Sequence, residues 1–153
     1  MRLVGIAVGL LFAALLLLAF WQHRAMASGL PPRVACLSPI DAHQQAGAGA
    51  YEVLGTGSMA PFIPPAPKGS DPLHTVVALA KPVSLPFKAI KKGDLVVYRP
   101  KWSNGLIIHQ AAQQTASGWI MSGLGNRQSE SFEPITEKEF VAIVGAVYVW
   151  PIN

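Results

Sequence analysis

Hydrophobic positions fall into two regimes along this chain. Residues 3–21 are almost uniformly apolar and carry no charge, whereas from residue 51 onward apolar residues come in short runs separated by glycine and proline. As a helix the first block would be about 28 Å long, enough to span the hydrocarbon core of a bilayer. It is too uniform to be one face of an amphipathic helix. The later runs predict strands at 51–54, 73–80, 95–98, 106–110, 119–121 and 140–150. The run at 95–98, launched by Gly93-Asp94 and stopped by Pro100, is the clearest. Residues 62–72 and 81–92 are broken by prolines and read as connections. Short strands between Gly and Pro turns, with little helical periodicity and no internal repeat, indicate an all-β domain of barrel or sandwich type.

This pattern divides the chain into a transmembrane anchor or signal segment at 1–27, a linker at 28–50 and a β-rich domain at 51–153. The small-x-small sequence Ala25-Met26-Ala27 has the form that precedes signal cleavage. The apolar run exceeds a usual signal core, which favours a retained anchor, and Trp21 stands where an interfacial aromatic would. Arg2 precedes the run while His23 and Arg24 follow it, so flanking charge sets no orientation. The linker reads as partly helical at best.

Composition narrows the function classes. Of 153 residues 51% are hydrophobic, and the net charge is +4. The lysines and arginines of the domain are scattered, with only Lys91 and Lys92 adjacent, so no nucleic-acid-binding stripe is present. A mildly basic surface suits anionic lipid headgroups instead. The single cysteine, Cys36, forms no internal disulfide and reads as a small buried or linker residue. The four histidines and that cysteine are too dispersed for a metal site. No cofactor is expected, because no phosphate-cradling glycine loop joins a strand to a helix.

Candidate chemistry centres on Gly55-Thr56-Gly57-Ser58-Met59-Ala60-Pro61. Gly57 permits close backbone approach and Pro61 ends ladder pairing, so Ser58 is expected where a strand runs into a turn. A serine hydroxyl needs a base to become a nucleophile. Among the histidines, His23 adjoins the apolar block, His43 is in the linker, His74 follows Pro72, and His109 is inside an expected strand. Lysine is the other candidate base: Lys91 and Lys92 read as exposed turn residues, and Lys101 lies near a strand end.

Four blocks occur in order: G-T-G-S-M-A-P, then Gly93-Asp94-Leu95-Val96-Val97, then Leu106-Ile107-Ile108-His109, then Gly123-Leu124-Gly125-Asn126-Arg127. Together they resemble the type I signal peptidases, in the branch of endoplasmic-reticulum and archaeal type that uses histidine as base. The resemblance covers about two thirds of the chain, from Tyr51 onward. It implies a serine endopeptidase with Ser58 as nucleophile and His109 as base, with Glu130 as the nearest replacement for the family's later acid. It further implies an oxyanion site made by the Ser58 N–H and the Thr56 hydroxyl, with Met59 walling the cleft. The implied partners are a preprotein or signal-peptide substrate and membrane lipid, and the implied location is the secretory face of a membrane. Two positions depart from the pattern: Leu124 where the family has aspartate, and Gln110 where the branch has arginine. They keep open an inactive peptide-binding relative. A self-cleaving regulator of related fold is the other alternative; it would require a lysine base and is at odds with the apolar block.

Overall fold

The computed structural model describes residues 29–71, 75–126 and 133–150. The 1–27 segment lies outside them, and among the described residues no helix is long and apolar enough to cross a membrane. The elements are β1 (Arg33–Ala35), α1 (Pro39–Ala46), β2 (Tyr51–Val53), β3 (Ala78–Val83), β4 (Leu95–Tyr98), β5 (Ile107–Thr115), β6 (Gly118–Ser122) and β7 (Phe140–Val149), with a short 3-10 turn at Phe87–Ala89.

One curled, mainly antiparallel sheet holds all the strands, in the order β2-β3-β7-β4-β5-β6, and forms a half-barrel. β7 is its spine. Its residues 143–149 pair with β3, its first part, from Phe140 to Ile143, pairs with β4, and Val147, Tyr148 and Val149 at its end pair in parallel with β1. The central strand β4, Leu-Val-Val-Tyr, is buried at every position, which explains why its sequence is apolar without alternation. Leu95 and Val97 enter one core with Met59, Ile63 and Ile108. Val96 and Tyr98 enter the other with Ala111, Trp119 and Met121.

Of residues 28–50, expected as a linker, the described part from Gly29 onward belongs to the sheet domain. Arg33–Ala35 adds a strand to β7, and α1 packs Ala42 and Ala46 against Leu79, Cys36 and Trp150. Local chemistry accounts for this helix. Ser38 is its N-cap, accepting the Asp41 N–H at 3.2 Å, with Pro39 at the first helical position. Asp41 in turn accepts the Leu37 N–H at 2.8 Å, and Gly47, at φ 74°, closes the last turn.

Two strand positions also differ from the sequence reading. The strand expected at 73–80 is observed at Ala78–Val83, running through Pro82. Pro82 is accommodated because the β3–β7 register shifts between it and Lys81. β5 continues past residue 110 to Thr115, since its polar Gln113–Thr115 end pairs with β6 in a hairpin that leaves Gln113 and Gln114 exposed.

Candidate active site

Ser58 follows β2 in a turn held at several points. Gly57 adopts φ +98°, a conformation that favours glycine, and its carbonyl accepts the Ala60 N–H at 3.0 Å. Met59 and Ile63, joined by an Ile63 N–H to Met59 carbonyl bond of 3.0 Å, are buried in the core below. Gly55 is needed because any side chain there would collide with the Pro64 carbonyl. The serine is thus left half-exposed on an anchored turn.

The fourth block braces the turn from the other side. The Gly125 N–H donates to the Ser58 carbonyl at 2.7 Å. A Cβ at Gly125 would lie 2.5 Å from the Gly57 carbonyl oxygen, and one at Gly123 would strike the Ser58 carbonyl. The two glycines therefore make the contact with the serine turn, while Leu124 between them packs against the core. Leu124, the departing position of the fourth block, leaves that brace intact.

His109 reaches the serine from β5. It pairs directly with Val96 on β4, and its Nε2 lies 3.2 Å from the Ser58 Oγ. Only 3% exposed, it is the one buried polar residue among those described. Burial disfavours the imidazolium and pushes its pKa down to about 4, so the ring is neutral at pH 7. On its other side, Nδ1 lies 3.1 Å from the Tyr98 hydroxyl. The Thr56 Oγ1 is 3.4 Å from the Ser58 Oγ.

Other expected positions fall elsewhere. Glu130 and His74 lie outside the described residues, as does His23. His43 is exposed on α1. Lys101 is exposed and paired with Glu133 at 3.2 Å. Lys91 and Lys92 are exposed in the turn that Asp94 closes by accepting the Lys91 N–H at 2.8 Å. Gln110, at the departing position after the histidine, donates to the Gly93 carbonyl at 3.1 Å and ties β5 to that turn. Among the described residues no cluster of metal-ligating side chains exists.

Ser58 and His109 open onto a cleft of about 730 Å³. Tyr51, Leu54 and Ile108 line it, Met59 and Ile63 contribute to its wall, and the exposed Trp102 and Leu106 stand at its rim. Val53 and its neighbours on β2 also border it, and β2 is an edge strand of the sheet. A mostly apolar groove beside a sheet edge suits an extended peptide, whose main chain the edge can pair. Comparison with family models, with characterised proteins and with solved structures gave no match.

Tyr98 is the site residue that the sequence reading passed over. Strand geometry alone puts Val96 and Tyr98 on one face of β4; that this face meets His109 comes from the β4–β5 register, in which Val96 pairs with His109.

Proposed function

We propose that this chain is a membrane-anchored serine endopeptidase similar to the type I signal peptidases, cutting translocated preproteins after small residues on the secretory side. The observation that carries the reading is the 3.2 Å approach of Ser58 Oγ to His109 Nε2, between residues 51 apart in sequence. The apolar block at 3–21 supports the anchor, which would confine enzyme and substrate to one surface and raise their effective concentration.

The geometry supports the following chemistry. Ser58 Oγ attacks the scissile carbonyl carbon while its proton passes to His109 Nε2. The oxyanion is held by the Ser58 N–H and the Thr56 hydroxyl. His109 then gives the proton to the departing amine, and the acyl-enzyme is released by water that the same histidine activates. Glu130, outside the described residues, stays in this reading as the counterpart of the family's later acid; with Nδ1 of His109 facing the Tyr98 hydroxyl at 3.1 Å, its support of the histidine would be indirect.

The test is cleavage of a model preprotein in detergent by wild type, Ser58→Ala and His109→Ala. Cleavage after a small residue, abolished in both variants, supports the reading. Binding of the peptide without any cleavage by wild type would make the chain a binding relative, the reading that Gln110 and Leu124 favour.

A further inference from the structure

We propose that Tyr98 is a positioning residue of this site: its phenol oxygen accepts the Nδ1 proton of His109 and so holds the ring in the tautomer that leaves Nε2 as an acceptor facing Ser58. The inference rests on the peptidase reading, since the choice between the two tautomers is made from the need for a base; the tautomer itself can be measured without any cleavage.

A neutral imidazole carries its proton on one nitrogen or the other, and a phenol both donates and accepts. With Tyr98 as donor to Nδ1, the His109 proton would be on Nε2 and would point at the Ser58 Oγ. The ring would then have nothing with which to take the serine proton. With Tyr98 as acceptor, Nδ1 is protonated and the Nε2 lone pair faces Oγ across 3.2 Å. Only the second arrangement can act as a base. Once Nε2 takes the serine proton, the bond from Nδ1 to Tyr98 becomes charge-assisted and strengthens, so it favours the charged state of the reaction over the resting one.

The fold holds Tyr98 firmly enough for this work. It is 2% exposed and lies diagonal to His109 on the neighbouring strand. The β4–β7 register shifts between Val97 and Tyr98, a local irregularity of the kind that re-aims a side chain. The two rings are 6.1 Å apart and tilted by 53°, so they meet through the polar edge rather than by stacking.

The experiment combines histidine-¹⁵N spectra with kinetics on the full chain in detergent, comparing wild type with Tyr98→Phe. The His109 signal is identified by its loss in His109→Gln. Expected are an Nδ1-protonated ring in wild type, a shift toward the Nε2-protonated form in Tyr98→Phe, and a fall in kcat of about 10–100-fold with KM little changed. An Nε2-protonated ring in wild type, or an unchanged tautomer in Tyr98→Phe, overturns the proposal. If the tautomer shifts as expected while wild type cleaves no preprotein, the positioning stands and the peptidase reading fails. Should Tyr98→Phe not fold, 3-fluorotyrosine in place of the three tyrosines weakens the phenol as acceptor with the ring kept. The His109 Nδ1–H signal then moves if the bond exists, and its failure to move overturns the proposal.

Discussion

The carbonyl of Ser58 accepts the N–H of Gly125 at 2.7 Å, so the serine turn and the glycine loop after β6 form one rigid unit. A methyl group at Gly125 would come to 2.5 Å from the Gly57 carbonyl oxygen, and backbone on both sides leaves little room to yield. Gly125→Ala is expected to lower stability by about 1–3 kcal/mol, the usual range for overpacking. It should also lower kcat more than it raises KM, because the turn that aims Ser58 is displaced. Urea unfolding and steady-state cleavage check the two halves.

Ser58→Ala and His109→Gln should each reduce kcat by about 10⁶-fold, which abolishes measurable cleavage. The double variant should lose little more than either single one, since the two groups act as a unit. Additive losses in the cleavage assay would mean that they act separately.

The pH profile follows from the buried histidine. With its pKa near 4, His109 remains deprotonated through the neutral range, so kcat/KM should keep its value down to about pH 5 and fall near pH 4. An unburied histidine base would lose activity near pH 6.5.

Stability should respond to the same group. The unfolded chain protonates His109 near pH 6.5, while the folded chain does so only near 4. Between these values the unfolded state binds more protons, so stability falls as pH is lowered through that window. The full loss is on the order of 3 kcal/mol. Its signature is a pH dependence between 6.5 and 4 that His109→Gln removes, measured by denaturant unfolding at each pH.

Lys101→Met tests the lysine alternative. Lys101 forms an exposed pair with Glu133, with side-chain exposures of 58% and 76%. The replacement should cost at most about 1 kcal/mol and leave kcat within a factor of about two, in contrast to His109→Gln.

Much of this site was legible because its signals are local. Gly57, Ser58 and Pro61 specify a turn by their own conformational limits, and Leu95–Tyr98 reads as a strand from four apolar residues behind Gly93-Asp94. Tyr98 was not legible as a partner of His109, because that depends on the β4–β5 register, which no stretch of chain encodes alone. Residues 33–35 were missed for a related reason: three residues between prolines become a strand only because the distant end of β7 offers them a ladder. Pro82 misled in the opposite direction, since proline argues against a strand unless a register shift falls beside it.

The place of β7 in the sheet has a consequence for assembly. It lies between β2 and β3, from which the serine turn issues, and β4, β5 and β6, which carry the histidine. Neither half pairs with the other directly; each is hydrogen-bonded to β7. Closing such long-range ladders is slow and comes after local structure. A chain whose β7 has not yet docked therefore holds Ser58 and His109 on two unjoined pieces. On the peptidase reading proposed above, competence to cleave would arrive only with the completed sheet, and a half-folded chain would be kept from cutting its neighbours, or itself, in transit.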